Sequence, residues 1–317
     1  MLPTITTVIP CFNSASWVGR AIESVLDQSQ EASEIIVIDD GSTDNSLAVI
    51  GKYERFAQIE TGPNRGACAA RNRGLALAKG RCITFLDADD YIEQGLFEGA
   101  LAAILVEKAD LAFARLVTET NKGRSDFGPP PLLSPQDLMV WFLQNGFITP
   151  CSTFWSTEFL RAIGGWSDHL RRYQDYEVVY RALSHSPRLS VIREGAGVSF
   201  QHSSAGRISF RHDTETVIHQ AAVIRYIGEC LQATSLPPTL VSKLMQTRSY
   251  RFWRETSRAG NVFSTNIARE LYLEFGGHRH IGGLVHCTLA SVLGLRAKEQ
   301  ISLKVHQFSE KLRGRIL

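Results

Sequence analysis

The chain has no Cys-x-x-Cys pair, no glycine-rich phosphate loop, no long apolar run and no large excess of one charge. Each absence excludes a class. The six cysteines, Cys11, Cys68, Cys82, Cys151, Cys230 and Cys287, are scattered, which removes a zinc knuckle and a dithiol redox site. Most stand among apolar residues and read as buried thiols. No stretch reaches the roughly 18 apolar residues of a spanning helix. The N-terminal residues lack the charged and apolar regions of a signal peptide, so cytoplasmic residence is expected. A net charge of +2 over 317 residues argues against a nucleic-acid binder. The first strand-like run opens into Pro10-Cys11-Phe12-Asn13, where a dinucleotide fold would have a glycine-rich turn, and no GxxxxGK[ST] loop occurs. Dehydrogenases and P-loop hydrolases are thereby disfavoured.

What is present is an ordinary globular composition, sufficient for one large domain or a domain with an appendage. Over residues 4–115, short β-branched runs alternate with helical patterns. Thr6–Ile9 reads as a strand stopped by Pro10. Trp17–Leu26 reads as a helix with Val18, Ile22, Val25 and Leu26 on one face and Ser16 as its cap. Ile35–Ile38, Ala57–Glu60, Cys82–Leu86 and Leu111–Ala114 read as further strands, with helices at Gly66–Ala78 and Leu96–Val106. Such alternation predicts an α/β fold with a mostly parallel central sheet covered on both faces. A hairpin turn at Asn121-Lys122-Gly123 and a stiff loop at Pro129-Pro130-Pro131 follow. Helical patterns return at Pro135–Leu143, Thr157–Ile163 and Asp175–Leu183, and dominate from Asp213 onward. A boundary near residue 210 separates residues 1–210 from a basic, mainly helical region, 211–317. The charge divides at nearly the same place. Residues 1–204 hold 18 Lys+Arg against 24 Asp+Glu, net −6; residues 205–317 hold 16 against 8, net +8.

Two strand ends carry acids, Asp39-Asp40 and Asp87-Ala88-Asp89-Asp90. Parallel strands bring both to the C-terminal edge of the sheet, where open α/β sheets bind ligands. Carboxylates at that density call for a cation or a metal–polyphosphate complex. One pair suits a base or ribose; the other suits Mg²⁺ or Mn²⁺ bridging phosphates. The structural alternative makes the second cluster a solvated helix start, and makes Asp39 and Asp44 caps and turn formers. Arg71, less than two turns into the helix after Gly66, can reach the same edge and offset diphosphate charge. Arg73 suits a solvated face.

Taken in order, Val8-Ile9-Pro10-Cys11-Phe12-Asn13, Val37-Ile38-Asp39-Asp40-Gly41-Ser42-Thr43-Asp44, Asn64-Arg65-Gly66 with Ala70-Arg71-Asn72, and Phe85-Leu86-Asp87-Ala88-Asp89-Asp90 resemble the family 2 glycosyltransferases. The resemblance covers about residues 4–210. It implies a GT-A fold and an inverting, metal-dependent transferase using a nucleotide-sugar donor. It places Pro10, Phe12, Asn13, Asp39, Asp40, Arg71, Asp87 and Ala88 along the donor. Phe12 would pack on the base, Asp40 would accept a pyrimidine N3–H, and Asp87 would lie near the ribose. The resemblance makes Asp89 the metal-binding acid, with Mn²⁺ or Mg²⁺ as cofactor, and His202 a second ligand. Ile163-Gly164-Gly165-Trp166-Ser167 resembles the turn before the catalytic acid, which makes Asp175 the base. Gln174 stands where the family usually has Glu, an acid that supports the acceptor.

The partners implied are a UDP- or dTDP-sugar and a glycan or lipid-linked acceptor, in polysaccharide biosynthesis. A sugar-phosphate nucleotidyltransferase and a catalytically weak nucleotide-sugar-binding protein are the alternatives. In the basic region, Arg248, Arg251, Arg254 and Arg258 alternate with Tyr250, Phe252 and Trp253. This is either a solvated helix with aromatics turned to a core or a patch for an anionic surface. With the amphipathic stretch Ile301–Leu317, it suggests peripheral contact at the inner face of a membrane. No QxxRW motif of the membrane-spanning synthases occurs.

Overall fold

The computed structural model describes residues 4–28, 33–145, 148–170, 172–202, 214–278, 281, 290, 291 and 295–300. The chain forms two compact units. One comprises Met1–Leu170 with Gln174–Ala205, the other Arg171–Tyr173 with Gly206–Leu317.

The first unit is built on a nine-stranded sheet: β1 (Ile5–Cys11), β2 (Ser33–Asp39), β3 (Gln58–Thr61), β4 (Cys82–Phe85), β5 (Tyr91–Ile92), β6 (Leu111–Thr120), β7 (Gly123–Asp126), β8 (Thr153–Ser156) and β9 (Leu189–Gln201). Its order is β3-β2-β1-β4-β8-β6-β9-β5, with β7 on β6. The first four strands are parallel, as the alternation predicts. The other half is mixed. β8 enters antiparallel between β4 and β6, β9 runs parallel to β6, and β5 pairs antiparallel to β9. β5, β8 and β9 were not expected from local pattern. β5 has two residues and β8 four, too few for periodicity to register.

Four local expectations are corrected. β1 continues through Pro10, which pairs with Ile38. The missing Pro10 N–H would face the β4 side, where pairing has already ended at Val8 and Phe85, so no ladder bond is lost. Helix α1 (Val18–Leu26) has no side-chain cap from Ser16. The Ser14 carbonyl instead accepts from the Trp17 and Val18 amides. Its buried face is Val18, Ala21, Ile22 and Val25, while Leu26 is exposed. Helix α2 (Ser46–Gly51) is short, and α3 (Ala67–Leu77) begins one residue after the expected Gly66.

The core lies under β1, β2, β4 and β6, with Ile5, Ile9, Val37 and Ala112 packed against Ile22, Val25, Leu96 and Phe97. Helix α4 (Leu96–Leu101) supplies part of that layer. Then come α5 (Pro135–Asn145), α6 (Thr157–Ala162) and α7 (Gln174–Ser184).

The second unit contains α8 (Thr214–Gln232), α9 (Pro238–Ala259) and α10 (Val262–Glu274). On α9, Tyr250 and Phe252 are buried, and Trp253 packs on Tyr250 and Tyr272. Arg254 and Arg258 both pair with the fully buried Glu299, as does Lys298. These three cations outweigh the burial of Glu299 and draw its carboxyl down to about 2. Arg254 and Arg258 are thus engaged internally, and Arg248 lies 5.5 Å from the Tyr173 ring. Most of Ile281–Leu295, and all of Ile301–Leu317, lie outside the described residues. Among the described residues, no helix is long and apolar enough to cross a membrane.

Candidate active site

The site is assembled at the C-terminal edge of the parallel strands. At the end of β1, Phe12 is about half exposed, while Asn13 adopts a left-handed φ of 49°. That conformation suits asparagine. It lets the Asn13 side-chain oxygen accept from the Thr43 amide at 2.8 Å and the Asp44 amide at 3.3 Å. Asn13 therefore ties the loop after β1 to the loop after β2. Asp44 adds to the tie, accepting from Ala15 and from the amide and hydroxyl of Ser46. Burial opposes its charge, but these hydrogen bonds prevail and hold its carboxyl below the usual range.

Asp39 and Asp40 are both buried. Asp39 makes one long contact, from the Ser42 amide at 3.4 Å. Asp40 accepts from the Arg65 and Gly66 amides at 2.9 and 2.8 Å. These amides immediately precede α3, so the carboxylate sits at the positive end of that helix. A carboxylate has about four acceptor positions, which leaves capacity for a base N–H.

On α3, Arg71 is almost wholly buried. Its Nη2 donates to Asp87 at 2.5 Å, its Nη1 donates to Gln174 at 3.0 Å, and its guanidinium lies 4.4 Å from the Trp166 ring. Burial works against this cation, but Asp87 and Asp175 outweigh it and raise Arg71 above its ordinary range. Gln174 thus faces inward. Its Nε2 donates to the Leu170 carbonyl at 2.8 Å, so the amide bridges Arg71 to the chain before α7 without adding a carboxylate.

Asp175 lies in the first turn of α7. Its Oδ1 is buried and, among the described residues, accepts no hydrogen bond. Burial lifts its acidity constant, Arg71 pulls it down and Asp87 pushes it up, leaving it at about 7. Arg71 Nε and Trp166 Nε1 are likewise buried without a partner. Orphaned polar atoms clustered around one guanidinium are a common sign of a ligand position.

The turn Gly164-Gly165-Trp166 is held from two sides. Asn72 donates to the Trp166 carbonyl at 2.8 Å and accepts from its amide at 2.9 Å. Arg181, paired with Glu177 on α7, donates to the carbonyls of Ile163 and Gly165. The helix that carries Asp175 therefore also grips the turn carrying Trp166. Gly165 has a φ of +66°, and a Cβ there would stand 2.6 Å from Asn72 Oδ1. Gly165→Ala is expected to lower stability by about 2 kcal/mol, read as a lower urea midpoint. An unchanged midpoint would mean that the turn relaxes freely.

Beyond β4, Asp89 Oδ2 and His202 Nε2 are 3.0 Å apart. Asp90, which had no assigned role, accepts from the Phe200 amide at 2.9 Å and so fastens the acidic turn to β9, two residues before His202. Among the described residues, no three His, Cys, Asp or Glu side chains converge on one point. The dyad is compatible with Mg²⁺ or Mn²⁺ all the same. Such ions take one or two protein ligands and complete their shell with phosphate and water, and neighbouring corners of an octahedron with 2.1 Å arms stand about 3 Å apart. Cys11 and Cys68 do not compete for the chemistry, since burial pushes them to about 11 and about 12.

Phe12, Asn13, Asp39, Asp40, Arg71, Asp87, Asp89, Asp175 and His202 all belong to the first unit. Asn72, Arg181, Trp17 and Arg20 were missed. Only the i,i+3 spacing of Trp17, just before α1, and Arg20, within it, hinted that they share a face.

A parallel half continued by a mixed half, with acids at the strand ends, is the arrangement of GT-A glycosyltransferases, as comparison with solved structures shows. The first 349 residues of S. aureus TarS, solved with UDP-GlcNAc, share the fold with a TM-score of 0.69 and 17% identity, over 96% of this chain and 92% of that one. The mannosyltransferase PcManGT from Pyrobaculum calidifontis, solved with GDP-Man and Mn²⁺, aligns at 0.57 and 14% identity, over 98% and 88%. In sequence, the model of Glycosyl transferase family 2 matches residues 6–164. The chain belongs to that family. An uncharacterized glycosyltransferase of Haemophilus influenzae is 41% identical over 108 residues, 33% of this chain and 43% of that protein. The match thus spans less than half of that relative's length.

Proposed function

We propose that the chain transfers a sugar from a nucleoside-diphosphate donor to an acceptor hydroxyl, in one displacement with inversion. The observation that carries this reading is Asp175, a carboxylate at about 7 beside the Arg71–Asp87 pair. A base of that acidity accepts a hydroxyl proton efficiently near neutral pH. In-line attack on the anomeric carbon then expels the nucleoside diphosphate, and positive character on the sugar is expected in the transition state. Phe12, Asn13, Asp39 and Asp40 line the base and ribose end. Asp40 favours a uracil or thymine N3–H. Asp87 serves the ribose end and keeps Arg71 in place.

Asp89 and His202 would hold a divalent metal, whose bound charge would stabilise the departing diphosphate. The Mn²⁺ in the PcManGT complex supports this choice. For the acceptor, the basic excess of residues 205–317 supports an anionic glycan or lipid-linked diphosphate, used on the cytoplasmic side and at a membrane surface.

The test is a thermal-stability screen of UDP-, dTDP- and GDP-sugars, each with Mn²⁺ and with chelator. A donor at 100 times its Kd adds about 2.7 kcal/mol. A UDP- or dTDP-sugar is expected to stabilise the protein in Mn²⁺ only. Stabilisation by none of them would refute the reading.

A further inference from the structure

The Asp89–His202 dyad has two halves on different elements, and a third element touches both. Arg20, on α1, donates from Nη2 to the backbone carbonyl of Asp89 at 2.7 Å. Its guanidinium lies 4.2 Å from the ring of Phe200, 4.7 Å from Tyr91 and 5.7 Å from Trp17. Tyr91 begins β5, directly after the acidic turn, and Phe200 lies two residues before His202. Trp17 closes the arrangement from the other side. Its ring stacks on His202 at 4.9 Å and 23°, and meets Phe200 at 5.1 Å.

Arg20 supports both halves, Asp89 and His202, through their surroundings. It bonds the backbone of the first and packs on the aromatic neighbours of the second. The Arg20 Nε is buried without a partner. Sealing that polar atom carries a cost, which the cation–π contacts and one charge-assisted hydrogen bond offset. A salt bridge would have satisfied a surface arginine more simply. This arginine is placed for its reach between the turn and β9.

We propose that Arg20 is a positioning residue for the metal dyad, setting the separation of Asp89 from His202 through the Asp89 carbonyl and the Trp17–Phe200 aromatic pair. The inference rests on the reading of that dyad as the metal site. A supporting group that orients metal ligands typically changes metal affinity 10–100-fold when removed.

Binding of Mn²⁺ in the presence of UDP, followed by the free-ion electron paramagnetic resonance signal on the full chain, tests this without turnover. Arg20→Met keeps apolar bulk among the rings but removes the donor. It is expected to weaken Mn²⁺ binding about tenfold with an unchanged melting temperature in the absence of ligands. Arg20→Lys keeps the charge and one donor, and is expected to lose about threefold. In the Asp89→Asn background, Arg20→Met is expected to add no further loss in UDP binding, because the group it positions is already gone.

Wild-type Mn²⁺ affinity in Arg20→Met would overturn the proposal. So would an equal loss in both backgrounds, which would make Arg20 a donor contact or a general stabiliser. If Arg20→Met does not fold, Arg20→Lys decides, and full wild-type affinity there overturns it. A wild-type chain that binds no Mn²⁺ with UDP removes the dyad itself, an outcome separable from any result on the variants.

Discussion

Asp175→Asn lowers the rate of sugar transfer by about 10³–10⁴-fold, toward the upper end of what a positioned general base contributes, while donor binding stays within a few-fold of wild type. That is the expected result if Asp175 takes the acceptor proton, and the comparison to make is single-turnover transfer against donor titration in the same buffer. With the base at about 7, wild-type kcat is expected to fall about tenfold per pH unit below that value and to level above it.

A second readout needs no turnover. The folded-state value is raised from an ordinary 3.8. Below pH 3.8 both folded and unfolded chains hold the proton, and nothing is lost. Between about 4 and 7 the unfolded chain releases it first, so stability declines as pH climbs. Asp175→Asn removes that decline. Its unfolding free energy should exceed that of wild type at pH 8 by on the order of 2–4 kcal/mol, read as a higher melting temperature, and coincide with it near pH 4. A variant that transfers sugar as fast as wild type would refute the assignment of the base.

Asp89→Ala is expected to reduce kcat/KM by about 10²–10³-fold, the scale of removing an electrostatic stabiliser of a leaving group. The defect should appear in both donor affinity and kcat. Chelation should reproduce it in wild type, and added Mn²⁺ should restore wild type but not the variant. Donor affinity that is the same in chelator and in Mn²⁺ would contradict the role. His202→Ala should behave in the same direction with a smaller loss, since the imidazole contributes no formal charge to offset the cation's.

How much of this was legible beforehand differs from element to element. The strand-end acids were, because a buried apolar run that stops at Asp39 or Asp87 states both its strand and its exposed end. Arg71 was, because its distance from Gly66 fixes its height on α3. Asp175 was readable by resemblance, yet nothing local announces that a carboxylate two residues before Glu177 is sealed at Oδ1. Its acidity depends on burial and on Arg71 and Asp87, which are remote in the chain. The inward turn of Gln174 toward Arg71 was hidden for the same reason. β8 and β9 were missed because their pairing depends on β4 and β6. The role of Asp90 was missed because its partner, the Phe200 amide, lies 110 residues away.

That last separation has a consequence for how the molecule reaches its working form. Asp89 meets His202 across 113 residues of chain, and Arg71 meets Gln174 across 103. The parallel β1–β2 pairing, by contrast, joins residues only 28 apart, as at Ile5 and Ser33. Contacts of long sequence separation require the loops between them to close first and form slowly. In refolding from denaturant, the β1–β4 region is therefore expected to gain protection from hydrogen exchange early. Mn²⁺-dependent nucleotide binding should return as a later phase, when β9 has joined β5. Trp17, stacked on His202, is the natural fluorophore for timing that step.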